Sequence, residues 1–284
     1  MPTYKVVDAE KLDQDMTSVA DKIRDKAGIS LPLEWPTGYE AAVDAIQSGG
    51  KAPSVGFVPT EWDEAGYITS GKWYGETLPA YAFMLTTNTN IVNRLVSIEF
   101  EDEITSIPDH AFHHSNRLVT IHIPDSVTSI GLSAFYGCSK LALASLPSDL
   151  TSLGQYAFRS CSTMTPSSLP SGVTIIPQYC FGSCSAIPGM DCKGVTSIEA
   201  NAFYGCSKLA FLVLRSETVC TLSNTNALTS TPIKSGTGYI YVPSALLESY
   251  QAATNWSTYS AQFRALEDYT VDGTITGALD ETKI

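Results

Sequence analysis

The sequence predicts an α+β solenoid of short strands and helical turns, with a helical segment before it and a helical cap after it. A phenylalanine recurs at intervals of 23, 23, 23 and 22 residues, and its positions are Phe112, Phe135, Phe158, Phe181 and Phe203. A cysteine follows three residues later in the last four units, as Cys138, Cys161, Cys184 and Cys206, and Ser115 takes its place in the first. Apolar residues also recur five and eight residues before each phenylalanine. A fixed period of roughly 20–29 residues is typical of solenoid proteins.

One repeat can be divided into elements from residue 118 to residue 138. Apolar and polar residues alternate from Thr120 to Ile123 and predict a half-buried strand, which Pro124 ends. A second short extended piece is expected at 127–130, and a helical or 3₁₀ turn at 133–137. The unit that begins at Ile187 is one residue short, which predicts a local bulge.

The largest side chain of each turn is predicted to fill the core. An Ala-Phe pair also ends at Phe83, 29 residues before Phe112, which indicates an atypical first rung of the kind that end repeats need. The predicted structural core therefore includes Phe83, Phe112, Phe135, Phe158, Phe181 and Phe203. Burial of each ring is expected to stabilise the fold by roughly 1.5–3 kcal/mol.

Residues 1–50 are predicted to form two short amphipathic helices that attach or oligomerise the chain. Apolar residues recur at helical spacing, and a Trp-Pro turn separates the two stripes. Such helices bury little surface alone, so we expect them to pack on a partner or on copies of themselves; packing on their own chain is the alternative. The expected contact residues are Val19, Ile23, Trp35, Tyr39, Val43 and Ile46.

Four segments follow from these patterns. They are the helical segment 1–50, an N-terminal cap with a divergent first repeat at 55–93, the solenoid at 94–214, and a C-terminal cap and tail at 215–284. The cap is predicted to hold a last strand at 239–243 and two apolar helical stripes, one after Ser244 and one through Trp256 and Tyr259.

Composition narrows the classes of partner. A formal net charge of −12 disfavours nucleic acid and anionic membranes, which need basic surfaces. No apolar run approaches the roughly 20 residues of a membrane span, and the first residues lack the pattern of a standard secretory signal. No cofactor is expected.

Residues that could carry chemistry are few. The four histidines lie within 110–122, and His110, His113 and Asp109 could approach one another, but an exposed turn is the favoured interpretation and no metal site is predicted. The recurring cysteines three residues after the core phenylalanines are called the column cysteines, and they are expected to be buried thiols. Nucleophile-elbow, zinc-protease and phosphate-loop motifs are missing, so no catalytic residue is predicted.

The outward side of the regular strand is the candidate binding face. Aligned on Pro124, one outward column reads Glu99, His122, Ser145 and Ser168, and its neighbour includes Thr120 and Leu143. Phe211 and Val213 continue these columns towards the cap, which predicts a surface graded from polar to apolar. It could hold a peptide, a glycan or another subunit; an ordinary solvated sheet face is the alternative.

The stretch Val127-Thr-Ser-Ile-Gly-Leu-Ser-Ala-Phe-Tyr-Gly-Cys-Ser-Lys-Leu141 resembles the 23-residue repeat of BspA-like bacterial leucine-rich-repeat proteins. The resemblance covers about residues 78–214, and the segment 241–257 resembles the closing segment of such arrays. It implies a curved leucine-rich-repeat solenoid whose strand-lined face serves adhesion and protein binding.

The N-terminal part carries a second resemblance. The segments 19–28, 33–39 and 41–46 are similar to a helical segment of phage and prophage structural proteins, where it is joined to leucine-rich repeats through a piece like 62–67. This resemblance implies attachment to other virion or tail proteins.

Together these patterns predict a non-enzymatic structural protein of a phage or phage-tail-like particle. Its repeat domain would bind a host-surface protein or glycan, or decorate the particle, and homo-oligomerisation is left open. A bacterial cell-surface adhesin of the same repeat family and an intracellular protein-binding scaffold are the alternatives.

Overall fold

The computed structural model describes residues 56–62, 68–80, 82–83, 95–100 and 103–268. Its strands, in chain order, are β1 Gly56–Trp62, β2 Ile68–Tyr74, β3 Ser97–Phe100, β4 Ser106–Ile107, β5 Thr120–Ile121, β6 Ser129–Ile130, β7 Ser152–Leu153, β8 Ser168–Leu169, β9 Ile175–Ile176, β10 Gly189–Cys192, β11 Ser197–Ile198, β12 Phe211–Leu214, β13 Thr221–Leu222, β14 Tyr239–Val242 and β15 Phe263–Ala265. The helices are short: α1 is Pro232–Ser235, α2 is Leu247–Ala252, and 3₁₀ turns cover Thr225–Leu228, Ser244–Leu246, Trp256–Gln262 and Leu266–Asp268.

Parallel strands from successive repeats form two lines along the array. The first line contains the sheets β1-β2-β3-β5 and β15-β14-β12-β10-β8, in which only the β1–β2 pair is antiparallel. The second line contains the two-residue strands of the sheets β4-β6-β7 and β13-β11-β9. Ile107 pairs with Ile130 and Ile130 with Leu153, so each repeat lies in register on the one before it. The predicted repeat of short strands is therefore confirmed, and the strands of successive repeats are parallel.

The third side of each repeat is the turn that carries the core phenylalanine. The phenylalanines at 112, 135, 158, 181 and 203 are fully buried, and Phe83 is 5% exposed. They form one stack in which ring centres of successive repeats lie 5.1 to 5.7 Å apart. The stack confirms the predicted core and places the divergent repeat of Phe83 on Phe112 with their centres 5.1 Å apart.

The column cysteines are buried thiols, and they also donate hydrogen bonds between repeats. Sγ of Cys138 lies 3.0 Å from the carbonyl oxygen of Phe112, and the cysteines of the next three repeats make the same contact. In the first repeat, Oγ of Ser115 donates to the carbonyl oxygen of Phe83 at 2.9 Å. Serine replaces cysteine there because the position needs a small donor.

The predicted helical turn at 133–137 is wrong. The segment is a chain of tight turns in which Ser133 and Gly137 both have positive φ, 51° and 77°. The equivalent positions of the other repeats are also left-handed, for example His110, Tyr156 and Tyr179. The two left-handed residues, one on each side of the phenylalanine, prevent a helix from propagating.

The bulge predicted for the unit from Ile187 is also absent among the described residues. Strand β10 pairs without a break with β8 on one side and β12 on the other. The repeat is one residue shorter in the turn after β10. Two residues separate Cys192 from Val195, whereas three separate Leu169 from Val173 in the preceding repeat. Gly194 makes this possible, since a Cβ there would lie 1.9 Å from the carbonyl oxygen of Ser171.

The predicted helical cap is corrected as well. Within 215–268 the two α-helices have only four and six residues, while β14 and β15 extend the first line of strands beyond the repeats. Aromatic side chains then close the core: Nε1 of Trp256 donates to the carbonyl oxygen of Cys220 at 2.6 Å, and the hydroxyl of Tyr250 accepts from the Cys220 N–H at 2.8 Å. The segment adds strands because its inward residues continue the repeat core.

Candidate functional site

The outward side of the first strand line carries the predicted binding residues, and we call Glu99, Thr120, His122, Ser145 and Ser168 the strand face. Ser97 pairs with Thr120 and Ile98 with Ile121, so the register places Glu99 beside His122. The side chains at 99, 120, 122 and 145 are exposed, and Ser168 is half-buried. The structure therefore brings these five residues onto one side of the molecule.

Leu143 is not part of this face, contrary to the prediction. Its side chain is only 8% exposed and belongs to the main core. Its repeat, at 141–147, has no assigned strand and buries Leu141, Leu143 and Leu146, whereas the preceding repeat buries Leu118, Ile121 and Ile123. Without the strand pairing the alternation slips by one residue, and Ala144 faces outwards in place of Leu143.

An ion pair marks the N-terminal end of the strand face. Nζ of Lys72 lies 3.5 Å from a carboxylate oxygen of Glu99, and the Glu99 side chain is 67% exposed. Beside them, Oγ of Ser97 donates to Oγ of Ser70 at 2.8 Å. An exposed ion pair contributes little stability, so these groups can exchange their contacts for those of a ligand.

The same outward column continues into a buried ion pair that sequence reasoning missed. Asp191 pairs in register with Ser168, and both its carboxylate oxygens accept from Nε of Arg215, at 2.9 and 3.1 Å. The Asp191 side chain is 4% exposed, whereas that of Arg215 is 38% exposed. The sequence contains a signal for this position, because Asp191 lies 23 residues after Ser168, which is one repeat length.

The apolar end of the graded surface is closed. Phe211, Val213 and Tyr241 form a second buried cluster, separate from the main core, against which Tyr239 and Leu266 pack. The ring of Phe211 lies over Gly189, where a Cβ would meet it at 2.1 Å. The expectation of an open apolar end is therefore wrong, and the exposed part of this side is its polar half.

The histidines divide between two sides of the molecule. His122 lies on the strand face, whereas the rings of His110, His113 and His114 contact one another on the turn side, with centres 5.3 and 4.4 Å apart. Burial, followed by the charges of His114 and His110, lowers the pKa of His113 to about 4. Within the described part of the chain no group of three His, Cys, Asp or Glu side chains could hold a metal ion.

The aromatic residues outside the core columns have different roles. Trp73 is buried against Phe83, with 6.2 Å between the ring centres, so it seals the first repeat. Tyr136 stacks on His113 with 5.0 Å between ring centres, and Tyr204 is 39% exposed. These two tyrosines lie on the turn side, away from the strand face.

The attachment residues Val19, Ile23, Trp35, Tyr39, Val43 and Ile46 lie outside the described residues, as does the rest of the segment 1–50. The side chain of Trp62 is not described either. In the described part of the chain, every helix is too short or too polar to cross a membrane.

The repeat is identified by comparison with known families. Residues 76–210 match the model of the BspA type leucine rich repeat region, in six copies. Residues 76–210 therefore form a BspA-type leucine-rich repeat region, which confirms the first resemblance over the repeats. The match begins after residue 75, and nothing in the comparisons supports the resemblance of the N-terminal segment to phage structural proteins.

Several solved leucine-rich-repeat structures are similar to this chain. A leucine-rich repeat protein from Bacteroides ovatus is 20% identical, with a TM-score of 0.48, over 69% of this chain and 59% of that one. A T. pallidum leucine rich repeat protein is 20% identical, with a TM-score of 0.44, over 69% and 91%. A leucine rich cell surface protein from Faecalibacterium prausnitzii is 16% identical, with a TM-score of 0.31, over 68% and 73%.

This chain thus spans less than two thirds of the Bacteroides protein. No curated protein sequence matches the chain.

Proposed function

We propose that this chain is a non-enzymatic adhesin of the bacterial cell surface whose strand face binds a protein ligand. One observation carries the proposal: the outward strand positions differ from repeat to repeat, while the inward positions repeat the same residue types. Glu99, His122, Ser145 and Ser168 present three different chemical groups, a carboxylate, an imidazole and a hydroxyl, whereas the core has phenylalanine in every repeat. Exposed variation on a rigid scaffold is where binding specificity is usually found.

A protein ligand fits the strand face better than a glycan. The face offers carboxylate, imidazole and hydroxyl groups, which form the hydrogen bonds of a polar interface. Phe211 and Tyr241 are buried, so their rings are not exposed for stacking on a sugar. The interpretation as a phage particle protein depends on residues outside the described part of the chain and is not carried forward.

The absence of catalysis is part of the proposal. All seven cysteines are buried, and burial raises the pKa of Cys206 and of Cys220 to about 12. Thiols with a raised pKa are poor nucleophiles. The ionisable residues of the strand face, Glu99 and His122, lie on an exposed surface.

The binding test screens the purified full-length chain against immobilised extracellular proteins and glycans, together with two variants. The face variant replaces Glu99, Thr120, His122, Ser145 and Ser168 with alanine, and the control variant replaces the exposed residues Lys140, Gln155 and Lys208 with alanine. The proposal expects protein ligands that the wild type and the control bind and the face variant loses. Binding of the wild type to glycans alone, or equal binding of a protein ligand by the face variant and the control variant, would contradict the proposal.

The location test applies a protease to intact producing cells and follows the chain with an antibody. An adhesin is degraded while the cells remain intact. Recovery of the protected chain in purified phage or tail-like particles would overturn the proposed location and restore the particle interpretation.

A further inference from the structure

Three tyrosines surround Arg159 on the turn side of the repeats. Its Cζ lies 4.4 Å from the ring centre of Tyr179 and 5.6 Å from those of Tyr136 and Tyr156. Tyr156 and Tyr179 also stack on each other, with 5.2 Å between centres and an interplanar angle of 13°. We call these four half-buried residues the arginine cage. Ring faces attract the guanidinium and restrict its position.

The guanidinium N–H groups of Arg159 have no acceptor among the described residues. Within the described ranges, no carboxylate and no other acceptor meets its guanidinium. The other stacked arginine differs: Arg264 lies 4.4 Å from the ring of Tyr239, and its Nη1 donates to the carbonyl oxygens of Ala261 and Phe263. Arg159 is therefore held by aromatic rings alone, and its planar donor edge is left for an acceptor from outside the chain.

The backbone of the cage tyrosines is in a conformation that large side chains rarely adopt. Tyr156 has φ 59° and Tyr179 has φ 55°, both left-handed. The equivalent positions of the other repeats hold His110, Ser133 and Asn201, which are smaller; asparagine and histidine are also common in this region. Among the described residues, tyrosine occupies this position in the repeat that contains Arg159 and in the repeat after it, and backbone strain of this kind clusters at ligand sites.

We propose that the arginine cage binds a glutamate- or aspartate-rich segment of a protein partner, through a carboxylate paired with the guanidinium of Arg159. The fork of N–H groups matches a carboxylate in two parallel hydrogen bonds. Tyrosine and arginine are also the residues that most often dominate protein interfaces. This surface lies on the turn side and is independent of the strand face.

A polypeptide carboxylate fits better than an acidic sugar. The ring faces of Tyr156 and Tyr179 are occupied by each other and by Arg159, so their edges and hydroxyl groups face the ligand. A sugar ring would need an exposed ring face. Because the chain has a net charge of −12, general attraction of acidic polymers is absent and any such binding needs a local cationic site.

The experiment measures the affinity of the full-length chain for poly-L-glutamate by biolayer interferometry at about 0.15 M salt, where long-range repulsion between the acidic chain and the acidic polymer is screened. The wild type binds, and Arg159→Ala weakens binding at least about tenfold, which is about 1.4 kcal/mol. Arg159→Lys also loses most of the affinity, because an ammonium group cannot form the bidentate pair. Arg117→Ala removes the same charge from an exposed arginine outside the cage and leaves the affinity unchanged.

A second variant separates recognition from folding. Tyr156→Asn opens the cage while asparagine suits the left-handed backbone, so thermal stability is kept and poly-L-glutamate binding falls. The five-residue face variant binds poly-L-glutamate as the wild type does, which distinguishes a failure of this inference from a failure of the strand-face proposal.

No binding by the wild type, equal binding by Arg159→Ala, or a drop in stability without a drop in affinity for Tyr156→Asn would overturn the inference. Tighter Arg159-dependent binding of polygalacturonate than of poly-L-glutamate would overturn the choice of a polypeptide.

Discussion

At the residue scale, each repeat is held by a phenylalanine and by a small donor three residues after it. Cys138, Cys161 and Cys184 donate to the phenylalanine carbonyl of the preceding repeat, and Ser115 makes the same bond. The sequence predicts that these positions are buried, because their period is regular. It does not predict the hydrogen bond, although the exchange of serine for cysteine is a signal of it.

Removal of one core ring tests the phenylalanine stack. Phe158 is fully buried between Phe135 and Phe181, with ring centres 5.3 and 5.7 Å away. Phe158→Ala is expected to lower the free energy of unfolding by about 3–5 kcal/mol, because it leaves a cavity between two repeats. Urea denaturation measures the change.

The exposed Tyr204→Ala is the control for that variant and is expected to change stability by less than about 0.5 kcal/mol. A near-neutral effect of Phe158→Ala on stability would show that the ring is not part of the core.

The histidine contact predicts a dependence of stability on pH. Burial and the neighbouring histidines lower the pKa of His113 from 6.5 to about 4. Between these values the unfolded chain binds the proton and the folded chain does not. The contribution is therefore fully present above pH 6.5 and is lost as the pH falls towards 4.

We expect the wild type to lose about 1–2 kcal/mol more than His113→Gln between pH 7 and pH 4, a figure that allows for solvent screening of the ring. Chemical denaturation at each pH measures the difference. His122→Gln, on the exposed strand face, is the matched histidine control. The same pH dependence in His113→Gln and the wild type would show that His113 is not responsible.

At the scale of elements, the backbones of successive repeats approach closely in the turn before the phenylalanine. A Cβ on Gly154 would lie 2.4 Å from the backbone of Gly131 and Leu132 in the preceding repeat. Strand β5 ends at Ile121, two residues before the predicted end at Ile123, whereas the strand end at Ile130 agrees with the sequence prediction. The sequence does not predict the one-residue shift of the inward and outward alternation at Leu143, because that shift depends on strand pairing between repeats.

Gly154→Ala tests this close approach. The added methyl group meets backbone atoms rather than a flexible side chain, so the repeats must separate, and overpacking is expected to cost about 1–3 kcal/mol. Gln155→Ala, at the adjacent exposed residue, is the control. Equal midpoints of urea denaturation for the two variants would mean that the repeats are not in contact at this point.

At the scale of the whole molecule, both ends of the repeat core are sealed by aromatic side chains. Trp73 covers the ring of Phe83, and Trp256, Tyr250 and Tyr259 lie buried at the other end. End repeats need such seals because each repeat contacts only its neighbours. The sequence predicts that a cap exists but not that it continues the sheet, since that depends on how β14 and β15 pair with the last repeat.

The division between a repeated core and a varied surface also belongs to this scale. Sequence periodicity separates inward from outward columns wherever the strands pair. It does not predict the burial of Phe211 and Val213, because their environment is set by side chains from other repeats. The cage around Arg159 is formed in the same way, from residues of three successive repeats.

The most direct test of the strand-face claim is the ratio of the dissociation constants of the face variant and the wild type, for the protein ligand that the wild type selects from the array. Thermal melts of the two proteins are recorded beside it. The account predicts a ratio of at least about ten at equal melting temperature. A ratio within about twofold at equal melting temperature would place recognition elsewhere and contradict the proposed role of the strand face.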